Sequence, residues 1–338
     1  MESPSFALVR LPGDAPNRMH LFMGPETLHP ISVSQLSQIN DNPRFFFSPW
    51  NTSETIFELS DLRGIMNLGE AFLWIDEIHK RQIGTQSTSF ENFETSIDKA
   101  KDEITWGNFE KVVLAREKYI PAEIDTTELG TIFYALCKAH PQAFVYICSS
   151  QNWGTWMGAS PETLVNYSSG TVSIMSLAGT LFNDNEEWSS KESAEQTVTS
   201  KFIESCLNWS PTDSVAVREL RQGKLRHLMS VYQKNWNRER LPDLVVSLSP
   251  TPAVCGNPRN SALQFIQENE SFKRDLYAGY IGISRPDGLI TNVNLRCAEI
   301  GANGIRLLAG CGINKDSQAQ REWEESGLKM TVIEEYLS

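Results

Sequence analysis

Between Phe144 and Leu177 the chain offers four short apolar runs, FVYIC, TWMGA, TLVNY and TVSIMSL, separated by a few turn residues each. Runs this short and this closely spaced read as successive strands, with no room for the crossover helices that a parallel sheet needs. The same texture recurs elsewhere. FALVRL and RMHLFM flank an LPGDAPN turn, FFFSPW is a short aromatic strand, and KVVLAR is a buried run with Lys111 at its start. Asp213 to Trp236 suggests two strands about a Gln222-Gly223 turn, and YAGYIGIS pairs with GLITNVNLRCAEI as a hairpin across SRPDG. Helical patterns interrupt the strands at FENFETSIDKAKDEI (closed by Gly107), Thr127 to His140, Trp188 to Trp209 and NSALQFIQENES, whereas DLVVSLSPTPAVCGNP reads as a Pro-rich connection. Many antiparallel strands broken by helices, with no repeat and no linker, imply a single α+β domain.

At 338 residues and 40% hydrophobic content the chain can bury a large core. A formal net charge of -12 argues against a general nucleic-acid binder, because neutralising phosphates takes clustered Lys and Arg. The six cysteines show no C-x-x-C pair and no zinc-like spacing to histidine, which suits small core residues in a reducing compartment. The opening MESPSFALVRLPGD lacks an apolar signal region, and no run reaches membrane-span length, so the expectation is a cytoplasmic protein without membrane contact.

The chemistry gathers between Asn292 and Lys329. Two strand-like runs, with Arg296 inside the first and a Gly310-Cys311-Gly312 turn following the second, precede a helix-compatible run from Ser317 that only Gly327 interrupts, with Asp316 or Ser317 as N-cap. On that helix Glu322, Glu325 and Lys329 share one face, while Ala319, Trp323, Met330, Ile333 and Leu337 line another. Two carboxylates, an ammonium, a guanidinium fork and bare backbone N–H groups together could bind a small organic acid through a metal. Elsewhere, Glu162 occupies a turn between strands where burial would raise its pKa, Gly179 and Thr180 end the SLAGT strand, and Glu195 sits on the shoulder of an Ala194, Val198, Phe202, Cys206 stripe.

KVVLAR, GASPE, SLAGT, WSSKESAEQ, SPTPAVCGNP, LYAGYIG, NVNLRCAEI, LLAGCGI and EWEESGLK, in this order, resemble the motifs of the chorismate-utilising enzymes, most closely the isochorismate synthase branch. The resemblance covers the catalytic motifs of residues 106–338, with 1–105 only loosely compatible. It implies two large antiparallel sheets packed face to face with helices outside. It also implies a Mg²⁺-dependent isomerisation of chorismate to isochorismate, in which water adds at ring C2 and the C4 hydroxyl leaves. By position, Lys111 matches the general base for water and Glu162 the general acid. Glu195, Glu322 and Glu325 match the metal site, and Gly179 and Thr180 support the ring carboxylate. Tyr277, Arg296, Gly310, Gly312 and Lys329 match the pocket for the enolpyruvyl carboxylate. An amine and a carboxyl can share this work at pH 7 only if both pKa values move toward neutrality.

Relatives that use ammonia carry Gln where Lys111 stands, and some use a nucleophilic lysine at the position of Ala178; this chain has neither, so no glutaminase partner is implied. A monomer is the family's usual form. Salicylate synthase, which goes on to eliminate pyruvate, is the alternative reading; a catalytically silent binding protein of the same fold is another. One departure is Ser249, where the family commonly places a histidine that could titrate near neutrality.

Overall fold

The computed structural model describes residues 3–38, 42–75, 78–181, 187–188, 190–210, 214–222 and 225–337. Among them the apolar runs form eighteen strands: β1 (Ser5–Arg10), β2 (Met19–Gly24), β3 (Ile31–Ser32), β4 (Arg44–Ser48), β5 (Thr55–Leu59), β6 (Asp61–Met66), β7 (Lys111–Ile120), β8 (Phe144–Ser150), β9 (Gly154–Ser160), β10 (Thr163–Ser168), β11 (Thr171–Leu181), β12 (Ser214–Gln222), β13 (Leu225–Asn235), β14 (Gly256–Asn257), β15 (Tyr280–Arg285), β16 (Gly288–Val293), β17 (Cys297–Ile300) and β18 (Ile305–Ile313). The α-helices are α1 (Leu68–Phe72), α2 (Phe90–Thr105), α3 (Thr126–Ala139), α4 (Ser190–Leu207), α5 (Leu241–Leu248), α6 (Arg259–Asn269) and α7 (Ala319–Glu334). No described helix is long and apolar enough to cross a membrane.

The strands make two nine-stranded antiparallel sheets. One runs in the order β14-β7-β18-β17-β9-β8-β1-β2-β6 and the other β12-β13-β11-β10-β16-β15-β4-β5-β3. Alternation explains the layering. In β1, Ala7 and Val9 face the cluster shared by the two sheets, whereas Phe6 and Leu8 face a second cluster with α3 and α7. β8 divides in the same way, with Tyr146 and Cys148 toward the other sheet and Val145 and Ile147 toward the helices. Because both faces of the first sheet are buried at its centre, β1, β8 and β9 lack polar alternation and read as continuous apolar runs, whereas the edge strand β6 alternates exposed and half-buried residues. A third cluster seats α2 and α6 over the β7–β18 end through Phe93, Ile97, Phe265 and Ile266. The cysteines are free thiols, five of them buried and Cys206 half-buried.

Several sequence expectations need correction. The run GLITNVNLRCAEI is two strands: β16 pairs with β15 in the second sheet, then the chain turns and β17 joins the first sheet between β9 and β18. Arg296 is therefore at a crossover, with a left-handed φ of 50°, instead of inside a strand. The adjacent runs TWMGA and TLVNY behave likewise, β9 lying in the first sheet and β10 in the second. The segment taken as a Pro-rich connection contains α5, whose Leu241, Leu244, Val245 and Leu248 are buried and whose proline sits in the first turn, where its missing N–H costs nothing. On α4 the buried line runs through Gln196, Thr199, Ile203 and Leu207, one step round from the anticipated stripe, of which Phe202 and Cys206 make partial contact and Ala194 has no described side chain. Of the expected Gln222-Gly223 turn, Gln222 ends β12 and Gly223 lies outside the described residues.

The N-terminus of α7 also differs. Its N-cap is Gln318, with no side-chain cap bond, because Asn314 and Ser317 are used in a turn of their own: the Asn314 amide donates to Ser317 Oγ and the Asp316 amide to Asn314 Oδ1. The helix is held instead by Arg116 of β7. Its guanidinium lies 3.7 Å from the Trp323 ring centroid, donates to Ser326 Oγ at 2.7 Å and to the Trp323 carbonyl at 3.2 Å. A Cβ on Gly327 would stand 3.1 Å from Arg116 Nη2, which accounts for the one glycine in the helix.

Candidate active site

Both chain crossovers fall at the same place. Pro161 and Glu162 carry the chain from β9 to β10, Asn294 to Arg296 carry it from β16 to β17, and the Val293 amide donates to the Glu162 carbonyl while the Ala159 amide donates to that of Arg296. Asn294 ties them further: its Oδ1 accepts from Tyr146 Oη and its Nδ2 donates to the Leu276 carbonyl, both at 2.8 Å. Where two strands leave one sheet for another, side chains of the bend are freed from both cores and point into the gap.

That gap is a cavity. Lys111, Glu162, Glu195, Tyr277, Arg296, Gly310, Gly312, Glu325 and Lys329 all line it, so nine residues singled out in the sequence from seven separate motifs meet here. Lys111 begins β7, Gly310 and Gly312 lie within β18 opposite Ala115 and Val113 instead of in the expected turn, Glu195 comes from α4, and Glu325 and Lys329 come from the face of α7 that the helical period indicated. A Cβ at Gly312 would fall 2.6 Å from Lys111 Cε, 3.0 Å from its Nζ and 3.2 Å from Glu195 Oε1. Glycine there is what lets the lysine cross the strand.

Glu162 is 2% exposed, and removal from water pushes its pKa from an ordinary 4.5 up to about 8, against the opposing pull of Arg296, Lys111 and Lys329. Its Oε1 has no hydrogen-bond partner among the described residues, nor has Arg296 Nε, so both retain bonding capacity for a ligand in the cavity they line. Burial lowers the Arg296 pKa below the usual guanidinium value, partly offset by Tyr277, Glu325 and Glu162. The Tyr277 hydroxyl is raised by burial and stays neutral. Lys111 Nζ lies 3.8 Å from Glu195 and Lys329 Nζ 2.6 Å from Glu325, while Lys329 also donates to the Gly310 carbonyl at 2.8 Å.

Among the anticipated residues with described side chains, Glu322 is the one off the wall. Glu322 is fully buried one turn from Glu325 but does not line the cavity. Gly179 and Thr180 lie at the end of β11, where a bulge precedes the pairing of Thr180 with His227 of β13; their side chains are not described, although Leu177 of the same strand is at the wall. Ser249 ends α5 away from the lining. Sequence reading missed His227, which is 3% exposed and lines the cavity. The pairing of SLAGT with the RHLMSVY run would have pointed to it.

Carboxylate oxygens are the donors that Mg²⁺ prefers, and Glu195 and Glu325 present them at one cavity wall. No group of three or more His, Cys, Asp or Glu side chains among the described residues is gathered tightly enough to hold a metal by itself. The donor chemistry fits an ion that keeps waters and shares its shell with a ligand. With Glu162 neutral, three formal cations (Lys111, Arg296, Lys329) face two carboxylates, so the wall alone barely favours an anion and a divalent ion would tip it decisively.

A family model described as chorismate binding enzyme matches residues 74–338. The chain belongs to the chorismate binding enzyme family. Among curated relatives of this chorismate binding enzyme, isochorismate synthase MenF of Bacillus subtilis is 28% identical over 261 residues, covering 70% of this chain and 53% of the relative. The salicylate biosynthesis isochorismate synthase of Pseudomonas aeruginosa is 31% identical over 265 residues, covering 73% of this chain and 54% of the relative. The chain thus spans about half the length of these two relatives. The solved structure of DhbC from Bacillus anthracis superposes with a TM-score of 0.81 at 21% identity, covering 100% of this chain and 97% of that one, which establishes the two-sheet chorismate binding enzyme fold.

Proposed function

We propose that the protein is an isochorismate synthase, adding water at C2 of chorismate with departure of the C4 hydroxyl. The observation that carries this reading is Glu162: a buried carboxyl with a pKa of about 8, sharing a cavity with an amine. Such a carboxyl is protonated in about nine molecules of ten at pH 7, ready to donate a proton to a leaving hydroxyl. Lys111, at the opposite role, takes the proton from the attacking water, with Gly312 leaving room for its side chain. Arg296 and the Tyr277 hydroxyl hold the enolpyruvyl carboxylate, with the Gly310 and Gly312 backbone and Lys329 beside them. The end of β11 at Gly179 and Thr180 supports the ring carboxylate. Glu195 and Glu325, with Glu322 behind them, would hold Mg²⁺, whose chemistry is to neutralise the ring carboxylate and orient the ring.

Incubating the purified protein with chorismate and Mg²⁺ and separating the products tests this. Isochorismate as the accumulating product supports the proposal. Salicylate with stoichiometric pyruvate would move it to the eliminating enzymes, and unchanged chorismate would refute it.

A further inference from the structure

On one side β7 pairs with β18 along most of its length, but on the other β14 covers only Lys111 and Val112. The Val113 amide still donates to the Cys255 carbonyl at 2.8 Å, and between there and Glu117 and Tyr119, where Ser87 and Thr88 take over, the edge is finished by two side chains. Arg274 Nη2 donates to the Val113 carbonyl at 2.8 Å, and the Ala115 amide donates to Glu270 Oε1 at 2.8 Å. The two side chains are bound to each other by Nε–Oε2 and Nη2–Oε1 contacts of 2.8 and 2.5 Å, and Arg274 Nη1 donates to the Val254 carbonyl at 2.9 Å. Their side chains are only 1% and 6% exposed, with Trp50 laid over the guanidinium at 4.4 Å. A buried ion pair is a poor source of stability, since apolar side chains of similar volume often serve as well or better. Its directional bonds are what such a replacement would lose.

Those bonds end on the cavity wall. Val113 and Val254 line it, Lys111 stands two residues before Val113 on the same face of β7, and the Tyr277 amide donates to the Arg274 carbonyl. We propose that Glu270 and Arg274 are positioning residues for the reaction: standing in for a missing strand, they fix the β7 edge and with it the reach of Lys111 toward the substrate. This role rests on the isochorismate-forming reading. Glu162 is carried by the other wall, at a crossover the pair does not touch.

The test is the double variant Glu270→Leu/Arg274→Met, with Arg274→Lys beside it and the wild type assayed first. The double variant is expected to fold with a Tm lowered by several degrees, since the Val113 and Val254 carbonyls and the Ala115 amide lose their partners, to lose kcat by about 10- to 100-fold as a small displacement of a reacting group does, and to keep KM within about threefold. The limb of its pH profile set by Glu162 should not move. Arg274→Lys, which keeps the charge and loses the fork, should fall between the two. A folded double variant with kcat within about twofold of wild type, or a loss confined to KM, overturns the positioning role; if the double variant does not fold, Arg274→Lys is judged by the same split. A wild type that leaves chorismate unchanged overturns the functional reading and this role together, whereas an active wild type with an equally active double variant overturns this role alone.

Discussion

Glu162 shows how far a fold can change one side chain. In water it is an ordinary carboxylate; between two sheets, with no partner for Oε1 among the described residues, it keeps its proton to about pH 8. Two consequences can be measured. Activity that needs the protonated form should decline as pH rises through about 8, and Glu162→Gln, which cannot donate an acidic proton, should remain folded while kcat falls by about 10²- to 10⁴-fold. Stability moves in the same direction. Because the folded pKa lies above the unfolded 4.5, the native state binds more protons between the two values, so the contribution is complete below about 4.5 and is lost as pH climbs through about 8. Its size is on the order of 5 kcal/mol for the shift cited, and Glu162→Gln should flatten that part of a denaturation profile measured from pH 5 to 8.5. Wild-type pH dependence in the variant would place the titrating group elsewhere. Across the cavity, Gly312→Ala sets a methyl 2.6 Å from Lys111 Cε, and the lysine must leave its present path. The expected result is a kcat loss of at least about 100-fold with the circular dichroism spectrum unchanged, and a kcat near wild type would show that the lysine's path is immaterial.

At the scale of an element, α7 is the part the sequence described best and worst. A period of 3.6 residues placed Glu325 and Lys329 on the cavity face and Met330 and Ile333 in the core, because periodicity needs no knowledge of what lies opposite. It could not place the N-cap, since Ser317 was already committed to Asn314, nor explain Gly327, whose reason is an arginine more than two hundred residues earlier. Arg116→Met keeps the volume and removes the bonds to Ser326 and the Trp323 carbonyl. It should cost about 1 to 3 kcal/mol in stability and raise KM more than it lowers kcat, since α7 carries binding groups; unaltered kinetics and Tm would show that α7 is seated by its apolar face alone. The turn at Glu162 was legible but its change of sheet was not, and the crossover at Arg296 was illegible for a related reason. Val293, Leu295 and Cys297 keep an apolar residue at every second position through TNVNLRCAEI, with no Gly or Pro between, so nothing local marks the residue where the chain passes from one sheet to the other. His227 escaped notice because strand pairing, and not the composition of its own run, brings it to the wall.

For the whole molecule, the cavity wall is assembled from β7, β11, β13, β18, α4, α7 and the two crossovers, so no contiguous piece of chain contains a binding site. A ligand that fills it bridges both sheets and two helices, and whatever binds only the folded form adds RT ln(1 + [L]/Kd) to stability. Chorismate at about one hundred times its Kd should then contribute about 2.7 kcal/mol, which for a chain of this size is a rise of only a few degrees in Tm. The charges on the wall say when this will happen. Three cations offset by Glu195 and Glu325 leave little net attraction for a dianion, so chorismate alone should shift Tm weakly and chorismate with Mg²⁺ strongly. Glu325→Gln separates the contributions of ion and protein: it removes one metal oxygen and also frees Lys329 from a partner 2.6 Å away, so the metal-dependent part of the shift should vanish while the metal-independent part grows. Differential scanning fluorimetry on the two proteins, with chorismate and with or without Mg²⁺ or EDTA, reads all four corners of that comparison. Equal shifts for wild type with and without the ion would mean that the acidic residues facing the cavity bind substrate or each other's lysines rather than a metal.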